Sequence, residues 1–155
     1  KNQAIDTLLH LGDDYSDAEP ICDQGISCIR VPGTWSQFYQ NPVIENRRVE
    51  IFEGWICVLS HTPTKDYHDL VSDPDPIKLC KESNAHFFFH GHTHKPEIVL
   101  LESGVYRINP GHIKAEIDRG YQASFAIMTA TQSSCSIQIQ SLLNLEIIHE
   151  LFVNK

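Results

Sequence analysis

The length, composition and charge of the chain exclude several classes of protein. It has 155 residues, of which 41% are hydrophobic and 21% are charged, and this suits one globular domain with a sizeable core. Twelve Lys and Arg residues against twenty Asp and Glu residues give a formal net charge of −8, which disfavours binding to nucleic-acid backbones and to membrane surfaces. No apolar run approaches the ~20 residues of a membrane-spanning helix, and the sequence shows no signal-peptide pattern. We therefore predict a single domain over residues 1–155, located in the cytoplasm.

The cysteines predict no disulfide framework. Their number is odd and no two of them form a C-x-x-C pair, so a structural zinc site is not indicated either. The five residues are Cys22, Cys28, Cys57, Cys80 and Cys135. A reduced setting is the simpler interpretation.

Short apolar runs that stop at glycine, proline or polar residues predict strands along the whole chain. In chain order, the predicted strands cover 4–11, 27–31, 47–52, 55–60, 85–89, 98–101, 105–108, 124–130, 136–141 and 146–153. Two short helices are predicted at 19–24 and 77–84, the second with Pro76 in a position that suits its first turn. The segments 47–60 and 98–108 are typical of β-hairpins. This order of elements predicts an α/β fold.

The stretch from Phe87 to Pro96 carries the strongest functional signal. Three phenylalanines predict a strand that is buried on both faces, and Gly91 and Pro96 bracket the loop that follows it. Open α/β sheets place their ligands at this end of a strand. His92 and His94, one residue apart on this loop, are therefore candidate metal ligands. The alternative is a pair of surface histidines with no such role.

Other polar residues also follow predicted strands at a glycine or proline stop. Asp13 follows the first strand, Thr34 the second, and His61 the strand that ends at Ser60. Taken singly, Asp13 and Thr34 are equally typical of turns and helix caps. Side chains at one edge of a sheet can meet, and a carboxylate with three imidazoles suits Zn, Mn, Fe, Co or Ni rather than Ca.

The order of these motifs resembles a known family. The motifs are H-L-G-D-D at 10–14, P-G-T-W at 32–35, L-S-H-T at 59–62, G-H-T-H-K-P at 91–96 and I-N-P-G at 108–111. Together they resemble the calcineurin-like metallophosphoesterases, and above all their small bacterial and archaeal phosphodiesterase branch, from about residue 4 to residue 131. The resemblance implies two facing mixed β-sheets flanked by helices, an α/β sandwich with its site at the carboxyl ends of strands.

The resemblance also implies a site for one or two divalent transition metal ions, namely Mn, Zn, Ni or Fe. By matching positions, Asp13 would bridge two metals, His94 would bind the first, and His61 and His92 would bind the second. The first metal of the family also takes ligands from an N-terminal D-x-H motif, which is absent here because the chain opens at what resembles the second strand of the fold. Thr34 stands where the family has an asparagine ligand. We therefore expect the second metal to bind firmly and the first weakly.

The implied activity is hydrolysis of a phosphodiester in a small phosphorylated substrate, by attack of a metal-bound hydroxide. Some relatives carry a histidine that protonates the leaving group, but Trp35 occupies its place, so we predict a preference for good leaving groups. His112 could substitute for it, although a histidine in a turn is more often inert.

Two alternatives remain open at the level of sequence. The altered motifs also suit a non-catalytic scaffold of the same fold, a role the fold has in a membrane-trafficking coat, with a degenerate metal site and a protein partner or a second copy of the chain bound instead. A third interpretation is a fragment of a longer enzyme, since loss of an internal strand would leave unpaired sheet edges.

Overall fold

The computed structural model describes residues 5–155, in which ten strands and two short helices are formed. The strands are β1 (Thr7–His10), β2 (Ser27–Arg30), β3 (Arg47–Phe52), β4 (Trp55–Ser60), β5 (Phe87–His90), β6 (Glu97–Leu100), β7 (Tyr106–Asn109), β8 (Ser124–Ala130), β9 (Ser134–Ser141) and β10 (Ile147–Asn154). The helices are α1 (Glu19–Cys22) and α2 (Pro76–Glu82), and Gln37–Gln40 form a 3₁₀ turn. No helix in this part of the chain has the length and apolar character needed to cross a bilayer.

A mixed five-stranded sheet carries the functional loops. Its strand order is β3-β4-β5-β7-β6, with β4, β5 and β7 parallel to one another and the two edge strands antiparallel to their neighbours. All four residues of β5 are buried, as the run of phenylalanines predicts for a central strand covered on both faces. The carboxyl ends of β4 and β5 therefore lie side by side, at one edge of the sheet.

The second layer consists of two smaller sheets. β1 and β2 pair in parallel, and β8, β9 and β10 form an antiparallel meander. The main core contains large side chains of the five-stranded sheet, such as Trp55 and Phe87, with Ile137 and Ile139 of β9. On the opposite face, Cys80 of α2 packs in a cluster with Phe88. The sheets thus face each other across the core with a helix on the outside, which confirms the predicted α/β sandwich.

The boundaries of several elements follow from local chemistry. The hairpin of β3 and β4 has the predicted limits, with Gly54 at a φ of 79° in its turn. α2 begins one residue earlier than predicted because the side chain of Asp75 accepts hydrogen bonds from the backbone N–H groups of Ile77 and Lys78. The first strand begins at Thr7, and its predicted start at Ala4 lies outside the described residues.

The prediction that no cysteines pair was wrong for one pair. Cys22, at the end of α1, is joined by a disulfide to Cys28 on β2, with 5.7 Å between their Cα atoms. The intervening turn reverses the chain and brings the two residues together, which their spacing in sequence did not indicate. Cys57, Cys80 and Cys135 are free and buried, as small apolar residues of the core. Because disulfides persist mainly in oxidising compartments, this pair does not support the predicted cytoplasmic location, which stays a prediction.

Candidate functional site

Four of the five predicted ligands meet at the ends of β1, β4 and β5. The Nδ1 atom of His92 lies 3.1 Å from Nε2 of His61, which in turn lies 3.6 Å from Oδ1 of Asp13. The other carboxylate oxygen of Asp13 is 2.6 Å from Nε2 of His94. These residues come from segments up to 81 positions apart in the chain. The structure therefore brings the predicted side chains together, while metal binding by them stays a prediction.

The backbone of the site is strained. Asp13, His92 and His94 adopt φ values of 54°, 63° and 59°, in the left-handed region that side chains other than glycine rarely enter. Such conformations cost about 1–3 kcal/mol each and cluster at functional sites, where the surrounding structure holds them in place. Glu53, in the turn between β3 and β4, also has a φ of 51°, so positive φ by itself does not distinguish a ligand from a turn residue.

His61 is held in one orientation beneath the site. It is 2% exposed, and its Nδ1 atom donates a hydrogen bond of 2.7 Å to the backbone oxygen of Leu11. Because a carbonyl only accepts, the proton resides on Nδ1 and Nε2 presents its lone pair to His92 and Asp13. Burial lowers the pKa of His61 to about 4, so the ring is neutral and able to bind a metal. Gly12 permits this contact, because a Cβ at that position would lie 2.2 Å from the Nδ1 atom of His61.

His94 is oriented by a carboxylate that the sequence analysis did not identify. Its Nδ1 atom lies 2.7 Å from Oδ2 of Asp118, which also accepts a hydrogen bond from Lys114. The bonds from Lys114 and His94 lower the pKa of Asp118 to about 2. Both ring nitrogens of His94 thus face carboxylates, and a metal ion bound at Nε2 would take the place of the contact with Asp13. A second carboxylate behind a metal-binding histidine is a common arrangement.

Hydrogen bonds from Asn109, at the end of β7, and from Arg119 hold the loop that carries His92 and His94. The amide of Asn109 donates to the backbone oxygen of Gly91 at 3.1 Å and to the hydroxyl of Thr93 at 2.7 Å. The guanidinium of Arg119 donates to the backbone oxygen of His92 at 2.7 Å. Asn109 lies in the I-N-P-G motif, so the sequence singled it out but did not indicate that it holds the histidine loop. Arg119 belongs to none of the quoted motifs, so the sequence did not single it out.

Thr34, the fifth predicted ligand, is buried and has an unpaired hydroxyl in the described residues. It is 4% exposed, and its Oγ1 atom is buried without a hydrogen-bond partner in residues 5–155. The preceding Gly33 packs on the backbone of Asp13 so closely that a Cβ would lie 2.6 Å from the Asp13 nitrogen. A buried polar atom without a partner costs about 1–3 kcal/mol. Metal binding by Thr34 stays a prediction.

His112 is occupied by other contacts. It is 7% exposed, its Nε2 atom pairs with the backbone oxygen of Tyr121 at 2.9 Å, and its Nδ1 atom accepts from the backbone nitrogen of Lys114. With both nitrogens engaged, the ring has no free position for proton transfer. That His112 is inert stays a prediction.

The spacing of the donor atoms fits a metal ion in part. Ligand atoms about 2.1 Å from a common cation are roughly 3.0–3.4 Å apart for angles between 90° and 109°. The distance of 3.1 Å between Nδ1 of His92 and Nε2 of His61 lies in this range. The distance of 3.6 Å between Nε2 of His61 and Oδ1 of Asp13 lies just outside it. Over residues 5–155, however, no group of three or more His, Cys, Asp or Glu side chains already has the geometry to hold a metal. Asp13, whose side chain is 47% exposed and bonded to His94, would have to turn toward His61.

Comparison with known proteins shows which family has this fold. A model of the calcineurin-like phosphoesterase superfamily domain matches residues 1–133, and no curated protein matches the sequence. The structure is similar to YfcE, a phosphoesterase from E. coli, at a TM-score of 0.66 and 18% identity, covering 96% of this chain and 85% of that one.

Two further solved structures have the same fold. A predicted phosphoesterase from Streptococcus pneumoniae matches at a TM-score of 0.68 and 18% identity, covering 97% of this chain and 82% of that one. Zinc-complexed Vps29 from Entamoeba histolytica matches at a TM-score of 0.62 and 18% identity, covering 96% of this chain and 81% of that one. Because the family model spans most of the chain and these folds agree with it, the chain belongs to the calcineurin-like phosphoesterase superfamily.

Proposed function

We propose that this chain is a divalent-metal-dependent phosphoesterase that hydrolyses a phosphodiester in a small substrate. The observation that supports the proposal most is the row of side chains His92, His61, Asp13 and His94, joined by contacts of 2.6–3.6 Å at adjacent strand ends. Three of the four are held in left-handed backbone conformations.

The residues divide between two cation positions. Asp13, His61 and His92, with Thr34 as a further candidate, would hold the second metal, and His94 with Asp13 would contribute to the first. Mn, Zn, Ni or Fe suits these donors. When bound, such ions supply a nucleophile near neutral pH by lowering the pKa of water, and they neutralise charge on the phosphoryl oxygens. Because the first position has only two of these side chains, we expect it to bind its ion more weakly than the second.

The chain itself supplies positive charge next to the site. Lys114 bonds to Asp118, and Arg119 bonds to the backbone of the histidine loop. In a protein with a formal charge of −8, these two cations offset the repulsion that an anionic phosphate would meet. The carboxylate of Asp118 and the amide of Asn109 keep His94 and the loop in position while a substrate binds.

The test is hydrolysis by the metal-loaded chain. We expect cleavage of bis(p-nitrophenyl) phosphate after loading with Mn²⁺, Ni²⁺ or Zn²⁺, and tighter binding of one ion than of a second in calorimetry. His92→Ala should abolish both the activity and the tighter binding. His149→Ala is the matched control, because His149 is exposed on β10 and belongs to the three-stranded sheet. Activity that is insensitive to His92→Ala would refute the proposal.

A protein-binding scaffold is the second candidate, and one surface favours it. Leu143, Leu145 and Ile147, in the turn before β10 and at the start of that strand, are 78%, 62% and 49% exposed. Apolar patches of this kind mark interaction surfaces more often than single exposed residues do. Failure of the purified chain to bind any of the three metals, together with no hydrolysis, would select the scaffold over the enzyme.

A further inference from the structure

We infer that Arg119 binds an unesterified phosphoryl oxygen of the substrate directly, and so selects anionic phosphoesters over uncharged ones. The inference rests on the proposed phosphoesterase function, to which it adds a substrate-binding residue. Arg119 lies on the segment of residues 110–123, which joins β7 to β8. The inference follows from the contacts of this side chain and from the charges around it.

The first observation is that Arg119 contacts the histidine loop at a candidate ligand. Its Nη1 atom donates a hydrogen bond of 2.7 Å to the backbone oxygen of His92. The preceding residue, Asp118, lies 2.7 Å from Nδ1 of His94, so this segment is attached to both histidines. Standard bond lengths place the guanidinium within roughly 9 Å of the ring nitrogens of His92. An anion bound at this histidine is therefore within its reach.

The second observation is that Arg119 has no carboxylate partner within residues 5–155. In that part of the chain no Asp or Glu oxygen lies at ion-pair distance from its guanidinium, and the bond to His92 is its one hydrogen bond. The other arginines all pair with Asp or Glu, at 2.8–3.7 Å; they are Arg30, Arg47, Arg48 and Arg107. In a chain with twenty acidic and twelve basic residues, an arginine without a carboxylate at this position is available to an anion from outside.

The third observation is the number of hydrogen-bond donors that Arg119 has left. A guanidinium carries five N–H groups in one plane, and the bond to His92 uses one of them. The residue is exposed, so the remaining donors can contact a ligand. Parallel N–H groups match two oxygens of a phosphate, and such charge-assisted bonds are roughly twice as strong as neutral ones. Lys114 is less available, because its ammonium bonds to Asp118.

The fourth observation is that the local turn does not require an arginine. Two backbone hydrogen bonds, 3.0 and 2.9 Å long, close a two-residue turn at Arg119 and Gly120, whose φ values are 50° and 87°. A turn with two positive φ values favours asparagine before glycine, because most other side chains are strained there. Glu53 and Gly54 also have positive φ in the turn between β3 and β4, so such a turn accepts other residue types. The turn therefore gives no reason for an arginine here, whereas binding an anion does.

These contacts indicate which esters the site binds best. Phosphomonoesters and phosphodiesters keep at least one negative charge on their unesterified oxygens, and a guanidinium next to the ligands stabilises that charge. A phosphotriester has no such charge, so it gains less from the same donor groups. Because the chain carries a formal charge of −8, binding an anionic ester needs a local cation of this kind.

The first experiment measures phosphate binding separately from metal binding. Arg119→Asn removes the cation and gives the turn its favoured asparagine–glycine pair, so the variant should be at least as stable as the wild type in urea unfolding. In calorimetry we expect inorganic phosphate to bind the Mn²⁺-loaded variant about 10–100-fold more weakly than the wild type, and Mn²⁺ itself to bind equally well to both. Lys155→Asn is the matched control, because its ammonium also donates to a backbone oxygen in a turn, that of Glu53 at 3.3 Å, but at the opposite end of β4.

The second experiment compares two esters that have the same leaving group. Bis(p-nitrophenyl) phosphate carries one negative charge, and its methyl triester carries none. With Arg119→Asn we expect kcat/KM for the diester to fall about 10–100-fold, mainly through a higher KM, while the rate with the triester changes little. Arg119→Lys keeps the charge but loses the planar fork, so its kcat/KM for the diester should lie between those of the wild type and Arg119→Asn.

Three results would overturn the inference while the phosphoesterase function stands. The first is equal phosphate affinity in Arg119→Asn and the wild type. The second is a parallel loss of Mn²⁺ and phosphate affinity, which would show that Arg119 only holds the histidine loop. The third is an equal loss of rate with the diester and the triester. If the wild type hydrolyses neither ester, the proposed function fails, and the phosphate titration, which needs no turnover, still decides whether Arg119 binds an anion.

Discussion

Arg47 provides the sharpest test of how the loop of residues 61–75, which joins β4 to α2, is held. Its guanidinium is fully buried and contacts both oxygens of Asp69, at 2.8 and 2.9 Å, and one oxygen of Asp73, at 3.4 Å. Tyr39 adds a hydrogen bond to Asp69, and burial together with this bond raises the pKa of the phenol, so it remains a neutral donor. One cation thus stabilises two carboxylates that are 2% and 10% exposed.

Replacing this arginine should be costly. Arg47→Met keeps a side chain of similar length but leaves Asp69 and Asp73 buried without a cation. Loss of one partner from a buried ion pair costs about 3–5 kcal/mol, because the remaining charge has neither water nor a counter-ion. A typical domain has about 5–15 kcal/mol of stability in total, so the loss should be evident in any unfolding curve. The double change Arg47→Met, Asp69→Asn should be less destabilising than Arg47→Met alone, because it removes one of the stranded charges.

The assay is urea unfolding followed by tryptophan fluorescence, with Arg48→Met as the control. Arg48 is the next residue on β3, its side chain is 36% exposed, and it pairs with Glu50 at 2.8 Å. An exposed pair contributes at most about 1 kcal/mol, so the control should lose little. Equal losses for Arg47→Met and Arg48→Met would refute the reasoning, and so would a double variant that is less stable than Arg47→Met.

Three further predictions concern the site and the disulfide. Gly12→Ala should displace His61 and weaken metal binding in calorimetry, because the added Cβ would lie 2.2 Å from the imidazole ring. The control Gly25→Ala is also at positive φ but has open space around it, so it should lower the free energy of unfolding by only about 1 kcal/mol and leave metal binding unchanged. Equal metal binding by both variants would contradict this prediction. Asp118→Asn should weaken metal affinity about 10–100-fold relative to the exposed control Glu116→Gln, since the carboxylate orients His94, and unchanged affinity would show that it does not. Cys22→Ser with Cys28→Ser should lower the free energy of unfolding by about 2 kcal/mol through loss of a short closed loop, and thiol titration of the unfolded, unreduced wild type should find the three free cysteines. Five reactive thiols would exclude the disulfide.

Much of the fold could be predicted because apolar runs and turn residues, which are patterns over a few neighbouring positions, indicate where strands begin and end. The limits of β3 and β4 follow from apolar runs around Glu53 and Gly54, and both turn residues adopt positive φ as a tight hairpin turn requires. The run Phe87–Phe89 predicted the central strand, because only a strand covered on both faces buries three consecutive aromatic residues. Asp13, His61, His92 and His94 were also identified in this way, as polar residues that follow strands.

The sequence by itself therefore determined which segments form strands, where those strands stop, and which ligand-type residues stand at their ends. Only the tertiary structure decided which partners those residues have. Asp118 binds His94 from 24 positions away, Leu11 fixes His61 from 50, and Trp35 contacts His68 although neither residue carries a motif for the other. The physical reason is that periodicity and turn chemistry act over a few neighbouring residues, whereas hydrogen bonds and charge pairs depend on where the folded chain places atoms that are remote in sequence.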